Sequence, residues 1–422
     1  MKISKREIIR KSVVIVIIVG MMMNLTACAT KVRSTDLMEN IKANAATVKP
    51  IDESFIVSSA NFSIDLFRKS IKDNKNSLIS PTSVLLALAM TANGANGTTR
   101  EEMEHLLAGQ TSIDDLNEFL FSYLQQLPSE KDCKLNIANS IWFRDDEHRI
   151  SVKEDFLQKN ATFYQAAVYK SPFDDTTLKD INLWVKDHTD GMIDTILDKI
   201  DYDTVMYLIN AVVFDAKWKE VYQKSDIHNG TFTACDGTKR NVEMMASDES
   251  SYIKDDMATG FMKNYKNDNY SFVALLPNEG ITVNEYIESL TGEHFLSLIA
   301  NVDTTNVMTQ LPKFSYDYTI CMNDALQELG IPTAFDSGLA DFSKLGTSSD
   351  GNIYIGNVLH KSFISVDELG TKAGAVTVVD MKTESAVLTE YSVILDRPFV
   401  YAIIDNTTKL PIFLGTVMDI KE

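Results

Sequence analysis

Apolar residues recur at helical spacing in several parts of the chain. Phe55, Phe62 and Leu66 fall on one side of a helix that begins near residue 54. The stretch 81–92 is apolar nearly all round, which predicts a buried helix with Pro81 in its first turn. Thr99 and Glu102 have the spacing of a capping box and predict the start of the next helix. Further helices are predicted at 114–127, 179–188, 283–290 and 321–329.

Runs rich in β-branched and aromatic residues lie among these helices, without a regular strand–helix repeat. The predicted strands are 76–80, 135–143, 205–214, 271–276, 306–314, 363–367 and 399–404. Neither an internal repeat nor a linker interrupts residues 54–420. The pattern therefore predicts one α+β domain over 54–422, with large sheets that are mostly antiparallel or mixed.

The first 28 residues have the order of an export signal. Five cations between Lys2 and Lys11 precede an apolar run at 13–23, which is shorter than the ~20 residues of a membrane span. The run leads to LTAC at 25–28, which resembles a bacterial lipobox. We predict a signal peptide over 1–27, an acylated Cys28 and a flexible tether over 28–53. An ordinary signal peptide or a retained anchor is the alternative.

Composition narrows the range of partners. The 422 residues are 45% hydrophobic and carry a formal charge of −19, with no basic run beyond the N-terminus, so we expect no nucleic-acid partner. Besides Cys28 the chain has Cys133, Cys235 and Cys321, whose wide spacing indicates neither a zinc site nor a disulfide framework. We interpret these three cysteines as buried apolar filler.

The sequence contains no familiar catalytic or cofactor motif. H-E-x-x-H, G-x-S-x-G, G-x-x-x-x-G-K-[ST] and G-x-G-x-x-G are all missing, and the six histidines are scattered. We therefore predict that the protein is not an enzyme and holds no metal or cofactor.

The segment 368–382 is long for a connector and alternates like a strand. Every second residue from Thr371 to Met381 is small or apolar, whereas the other face is mixed and partly charged. An ordinary edge strand fits this pattern equally well.

Eight motifs, in order along the chain, resemble those of the serpin family over about residues 54–420. They are NSLISPTSV at 76–84, AMTANGANGT at 89–98, NAVVFDAKW at 210–218, LPKF at 311–314, LGIPTAFD at 329–336, HK at 360–361 with VDELGT at 366–371, DRPFV at 396–400 and FLGTV at 413–417. The resemblance implies three sheets, about nine helices and an exposed reactive loop. It also implies an inhibitor that traps its target protease covalently while the cleaved loop inserts into the central sheet.

The resemblance assigns roles to individual residues. The polar cluster beneath the central sheet, called the shutter in this family, corresponds to Ser80, Ser83, Asn210 and His360. The breach, where insertion begins, corresponds to Trp218. The hinge and its small inward face correspond to Glu368, Gly370, Thr371, Ala373, Ala375 and Thr377. Leu369, Lys372 and Val376 depart from the usual pattern, but we expect them to lie outside the inward face.

The scissile bond follows from the family's spacing in two ways that disagree. Counting sixteen residues from Glu368 gives the bond between Glu384 and Ser385. Counting back eleven residues from Pro398 gives the bond between Val387 and Leu388. A bond after Ala386 or Val387 is therefore the alternative. We favour the first count, because inserted length must carry the acylated residue to the far end of the sheet.

The predicted function is therefore suicide inhibition of a serine protease or, as a second class, a cysteine protease. The protein is expected to act as a monomer, lipid-anchored on the outer face of a bacterial cell membrane or released outside the cell. A non-inhibitory serpin with a binding or chaperone-like role is the alternative. A surface lipoprotein enzyme is a third hypothesis, which the missing catalytic motifs disfavour.

Overall fold

The computed structural model describes residues 32–201, 203–371 and 391–421. Nine α-helices fall within these ranges: α1 Glu53–Ser70, α2 Pro81–Ala92, α3 Gly97–Ala108, α4 Ile113–Gln126, α5 Glu154–Tyr164, α6 Asp175–His188, α7 Val283–Ser289, α8 Gly292–Ala300 and α9 Asn323–Glu328. None of these helices has the length and hydropathy needed to cross a membrane. The predicted signal peptide and Cys28 lie outside the described residues and stay predictions.

The first two predicted helices are confirmed and form part of the core. All twelve residues of α2 are buried, which explains why its sequence has no polar face. Helix α1 packs against it through an apolar side that includes Phe62 and Leu66. The side chain of Asp52 accepts a hydrogen bond from the backbone N–H of Phe55, and this bond caps the start of α1.

The capping box predicted at Thr99 and Glu102 is wrong. Asn96 is the N-cap of α3, which has already begun at Gly97. The Thr99 hydroxyl accepts the backbone N–H of Asp341 at 3.0 Å. The Glu102 carboxylate accepts the hydroxyl of Thr333 at 2.6 Å. Both side chains therefore join α3 to a distant loop instead of closing its first turn.

Nineteen strands in the described ranges form three main sheets and a two-stranded ribbon. They are β1 Thr35–Asp36, β2 Ser77–Ile79, β3 Cys133–Arg144, β4 Ile150–Val152, β5 Ala167–Ser171, β6 Met206–Lys217, β7 Ile227–Thr233, β8 Lys239–Glu249, β9 Tyr252–Lys254, β10 Ala258–Asn264, β11 Tyr270–Pro277, β12 Val307–Pro312, β13 Phe314–Cys321, β14 Gly346–Ser348, β15 Asn357–Val366, β16 Gly370–Thr371, β17 Tyr391–Ile394, β18 Phe399–Asp405 and β19 Pro411–Val417. This mixture of sheets and helices confirms the predicted α+β class.

The central sheet has the order β1-β5-β3-β6-β16-β15-β13. A second sheet, β2-β19-β18-β11-β10-β9, has strands β18 and β19 buried along their whole length. A third sheet has the order β17-β12-β8-β7, and β14 pairs with β4 in the ribbon. Strand β16 of the central sheet and strand β17 of the third sheet are the described elements before and after residues 372–390.

Two element boundaries differ from the prediction. The strand predicted over 306–314 is two strands, β12 and β13, which belong to different sheets. Lys313 lies at the junction, and its backbone N–H bonds to the carbonyl oxygen of Glu243 at 2.9 Å. The helix predicted over 321–329 is the shorter α9. The filler interpretation holds for the buried Cys133 and is wrong for the exposed Cys235 and Cys321.

The tether predicted over 28–53 is wrong for residues 34–52, because the compact unit begins at Ser34. Strand β1 pairs antiparallel with β5 at the edge of the central sheet. The backbone N–H and hydroxyl of Ser34 donate to the carboxylate of Asp180 at 2.6 and 2.7 Å. Further along, the Lys49 amine lies 2.6 Å from the carboxylate of Asp115. Residues 34–52 are therefore a docked strap.

Candidate functional site

The middle of the central sheet contains two parallel strands that a third strand has begun to separate. Strands β6 and β15 pair from Tyr207 opposite Asn357 to Val212 opposite Ser362. Beyond that level β16 lies between them and pairs antiparallel with both. We call the β6–β15 boundary the seam. At the Tyr207 end, β6 and β15 pair directly with each other. At the other end, Gly370 and Thr371 of β16 lie between them.

A tight turn over residues 367–370 connects β15 to the short strand in the seam. The carboxylate of Asp367 accepts the backbone N–H groups of Leu369 at 2.8 Å and Gly370 at 3.2 Å. A Cβ atom at Gly370 would overlap the carbonyl oxygen of Ala216 in β6. Only glycine therefore allows the backbone to approach β6 this closely.

Glu368, the hinge glutamate of the predicted site, is held by an ion pair. Its carboxylate lies 2.8 Å from the Lys313 amine, which also lies 3.2 Å from Glu243. The hydrogen bond from Lys313 lowers the pKa of Glu368. The side chain of Glu368 is about one-third exposed, so we expect this pair to orient the hinge more than to stabilise it.

Trp218 forms hydrogen bonds with the backbone of the hinge. Its indole N–H donates to the carbonyl oxygen of Asp367, and its backbone N–H donates to that of Leu369, both at 2.8 Å. The indole stacks on Tyr265 with ring centroids 4.6 Å apart. The Tyr265 hydroxyl lies 2.5 Å from the Oγ1 of Thr371, which is buried. Trp218 and Thr371, which sequence reasoning assigned to breach and hinge, are therefore in one cluster.

A buried ion pair supports the same cluster. The Lys263 amine lies 2.6 Å from the Glu249 carboxylate, and both side chains are largely buried. The amine also lies 4.4 Å from the ring centroid of Tyr222. Burial acts to lower the pKa of Lys263, but Tyr222 and Glu249 outweigh it, so the pKa is raised. The lysine therefore stays charged beneath Trp218.

The four predicted shutter residues also meet, and a fifth residue joins them. Asn210 donates to the hydroxyl of Ser83 and, at 2.5 Å, to the side-chain oxygen of Asn139. The amide oxygen of Asn210 accepts from Nδ1 of His360. Nε2 of His360 accepts the backbone N–H of Ser80 at 3.1 Å. Since Asn139, Asn210 and His360 occupy one level of β3, β6 and β15, this network crosses the seam.

His360 is neutral because both ring nitrogens are already committed. A second proton would have to occupy Nε2, which faces the N–H of Ser80. Complete burial lowers the pKa of His360 to about 3, from an ordinary value of 6.5. At a pH between about 3 and 6.5 the His360 side chain therefore binds a proton in the unfolded chain but stays neutral in the folded chain.

Lowering the pH from 7 to 5 is expected to reduce the free energy of unfolding by about 2 kcal/mol through His360 alone. The loss starts near pH 6.5 and continues towards pH 3, because the folded pKa is the lower one. Urea unfolding at several pH values measures this. In His360→Gln the difference between pH 7 and 5 should shrink, whereas the exposed-site control His188→Gln should keep it. An equal pH dependence in all three proteins would contradict the assignment.

Sequence reasoning missed Asn139, Tyr265 and Lys263. Asn139 had only a weak signal, since its strand also contains Asn136 and Ser140 and the sequence does not show which of these polar side chains faces the core. Tyr265 and Lys263 lie on or beside β10, and only tertiary packing brings them under the hinge. Ala373, Ala375, Thr377 and the bonds proposed at 384–388 lie outside the described residues. Within the described ranges, no group of three or more His, Cys, Asp or Glu side chains is arranged to hold a metal ion.

Comparison with known proteins gives consistent matches across the chain. The family model Serpin (serine protease inhibitor) matches residues 57–420. An uncharacterised serpin-like protein of Thermococcus kodakarensis is 31% identical over 385 residues, which cover 89% of this chain and 88% of that protein. The crystal structure of tengpin, a thermophilic serpin, in the native state is 54% identical with a TM-score of 0.89, covering 92% of this chain and 100% of tengpin.

A structure with a bound small molecule is also similar to this chain. Human thyroxine-binding globulin, crystallised with thyroxine, is 25% identical with a TM-score of 0.76. The match covers 87% of this chain and 99% of the globulin. The same fold therefore also occurs in a protein that binds thyroxine.

Proposed function

This chain belongs to the serpin family, and we propose that it inhibits a serine protease by trapping the protease on its reactive loop. Serpins are mostly protease inhibitors rather than catalysts, although some, such as thyroxine-binding globulin, are not inhibitors. The observation that supports inhibition here is β16. Two residues at the start of the loop already lie in the seam, so insertion has a starting point and a direction.

The register of β16 predicts where the rest of the loop would go. Thr371 is opposite Ala216 and Val366, so each further loop residue would pair one position lower on both strands. The series reaches Tyr207 and Asn357, the end of the seam, at residue 380. About ten residues at ~3.3 Å each would carry an attached protease roughly 33 Å.

The same register brings Thr377 to the level of Asn210 and His360. An inserted strand there would separate the two side chains, so their hydrogen bond must break. The hydroxyl of Thr377 is the right kind of group to replace it. We therefore interpret the shutter as a polar lock that the loop can open without leaving buried groups unpaired.

In the proposed mechanism the target protease supplies the catalytic groups, and this protein supplies the peptide bond that is cleaved. The protease's serine attacks the carbonyl carbon of the scissile bond, the peptide bond breaks, and the new amino terminus leaves with the C-terminal fragment. The N-terminal fragment remains joined to the serine as an ester. Insertion then draws the ester away from the target's catalytic groups before water hydrolyses it. A cysteine protease would form a thioester in the same way.

Covalent trapping is tested by incubating residues 28–422 with a panel of serine and cysteine proteases. The proposal expects a complex that survives boiling in SDS and whose mass is that of protease plus N-terminal fragment. Protease inactivated at its catalytic serine is the control and should give no such band. Cleavage of the loop by every protease that cuts it, without any stable complex, would overturn the proposal.

The likeness to thyroxine-binding globulin supports a second candidate, a non-inhibitory binding protein. The hinge distinguishes the two. Charged residues or proline on the inward face would hinder insertion, but positions 371, 373, 375 and 377 are Thr, Ala, Ala and Thr. We therefore favour the inhibitor.

We propose Glu384–Ser385 as the scissile bond, with a bond after Ala386 or Val387 as the alternative. The count of sixteen residues from Glu368 supports the first choice, because the inserted length must bring the acylated residue to the far end of the sheet. We expect the fragment released on complex formation to begin at Ser385, as measured by its mass. A fragment beginning at Leu388 would contradict this and indicate a target with a small apolar pocket.

We also propose that Cys28 is the mature N-terminus and carries lipid, which would hold the protein on the outer face of the cell membrane. The order of cations, apolar run and lipobox supports this. The expected result is an acylated N-terminal peptide in mass spectrometry, with Cys28→Ala shifting the protein from the membrane to the medium. An unmodified Cys28 still joined to residues 1–27 would contradict it.

A further inference from the structure

A buried ion pair connects the second and third sheets. Lys263 lies in β10 of the second sheet, and Glu249 is the last residue of β8 in the third. The Lys263 amine lies 2.6 Å from the Glu249 carboxylate, and the two side chains are 3% and 14% exposed. Burying two charges is costly, and their mutual attraction often does no more than offset that cost. Two apolar side chains could join these sheets as firmly, so stability alone does not explain the pair.

Lys263 reaches the N-terminal end of the reactive loop through two aromatic residues. Its amine lies 4.4 Å from the ring centroid of Tyr222 and 5.8 Å from that of Trp218. These two residues donate hydrogen bonds to the three consecutive carbonyl oxygens of residues 367–369, at 2.8, 3.0 and 2.8 Å. The three carbonyl groups belong to the turn that places Thr371 in the seam. The position of this turn therefore depends on aromatic residues that pack against Lys263.

Glu249 reaches the other end of the loop across the third sheet. It is paired with Val307 of β12, which is paired in turn with Tyr391, the first residue of β17. The hydroxyl of Ser247 donates to the Glu249 carboxylate at 2.7 Å and lies 3.0 Å from the hydroxyl of Thr309 on β12. Strand β17 directly follows the segment assigned to the reactive loop. One ion pair is therefore connected to both strands, β16 and β17, that bound this segment.

We propose that Lys263 and Glu249 are positioning residues for protease trapping, which hold the two ends of the reactive loop so that insertion starts in a fixed register. The inference rests on the proposed function, because the register matters only if the loop inserts. A slip of one residue turns every side chain of a strand to the opposite face, so the small residues of the loop would no longer face inward. A loosened hinge would slow insertion, and hydrolysis of the ester would then release more cleaved inhibitor. Ester formation precedes insertion, so its rate should be unchanged.

The test separates ester formation from trapping in Lys263→Met and in the double variant Lys263→Met/Glu249→Leu. Each variant is mixed with the panel protease that gives an SDS-stable complex with the wild type, and gels quantify the ratio of cleaved inhibitor to complex. The rate at which intact inhibitor is consumed and the midpoint of guanidinium unfolding are measured alongside. Arg100→Met is the matched control, since it removes a largely covered cation that is paired with Glu104 within α3.

We expect both variants to raise the ratio of cleaved inhibitor to complex about fivefold, at an unchanged rate of consumption. The double variant should unfold at the wild-type midpoint or above it, because its apolar pair avoids the cost of buried charge. Apolar contacts are non-directional and cannot hold Tyr222 and Ser247 in place, so the ratio should stay raised. Arg100→Met should keep the wild-type ratio.

A wild-type ratio in Lys263→Met, or its recovery in the double variant, would overturn the inference and leave the pair with a role in stability only. A wild type that traps no protease of the panel would instead overturn the proposed function.

Discussion

Thr371→Arg is expected to convert the protein from an inhibitor into a substrate. Thr371 is 2% exposed, and its side chain lies against Tyr265 beneath the sheet. An arginine would force an unpaired cation into this space at a cost of several kcal/mol. Since about 1.4 kcal/mol slows a step tenfold, insertion would lose to hydrolysis of the ester. We expect the fraction of protease trapped in SDS-stable complex to fall at least about tenfold on gels.

The matched control is Thr371→Ser, which keeps the hydroxyl and adds no volume, and it should trap protease like the wild type. Ala373→Glu and Ala375→Pro should behave like Thr371→Arg, because a charge or a missing backbone donor obstructs the same strand. Trapping by Thr371→Arg at the wild-type level would mean that insertion is not the mechanism.

Cleavage of the loop is expected to raise the thermal midpoint by about 15 °C or more. We expect the cut to let residues 372–380 extend β16, so that nine further residues gain neighbours on both sides. Each added backbone hydrogen bond contributes about 1 kcal/mol net, and only the six-residue β6–β15 pairing is exchanged for them. Calorimetry of intact and cleaved protein measures the shift.

Cleaved Ala375→Pro is the control for this measurement, because it is cut in the same loop but should gain much less. A thermal midpoint that stays the same or falls after cleavage of the wild type would favour the non-inhibitory alternative. The two experiments are independent, since the first measures kinetic competition and the second measures equilibrium stability.

The family and the residues of the shutter could be predicted because they are carried by short local motifs. NAVVFDAKW at 210–218 contains both Asn210 and Trp218, and HK at 360–361 contains His360. The two-residue insertion of β16 could not be predicted, because it depends on how far β6 and β15 separate. Likewise, nothing in the sequence near Lys263 indicates that it lies beneath Trp218 with Glu249.

The strap was missed for a different physical reason. Residues 34–52 are polar, small and aperiodic, which is typical of a flexible segment. They dock through backbone groups and polar contacts, such as the N–H of Leu37 bonded to the carbonyl oxygen of Val168 at 2.9 Å, and through a few widely spaced apolar side chains that pack against the core, namely Leu37, Met38, Ile41 and Ile51. Edge-strand pairing of this kind requires an unpaired strand edge, here β5, and the residues that pair with it need no apolar pattern.

The docked strap limits how far a lipid at Cys28 could let the protein travel. Six residue steps separate Cys28 from Ser34, where the compact unit begins, so a fully extended chain spans about 20 Å. A tether reaching residue 53 would have allowed roughly four times that distance. Residues 28–422 carry 35 basic and 58 acidic side chains, so the proposed lipid anchor would hold a strongly negative protein within about two Debye lengths of the headgroups. The target proteases would then be ones that act at the cell surface, and each trapped protease would stay there.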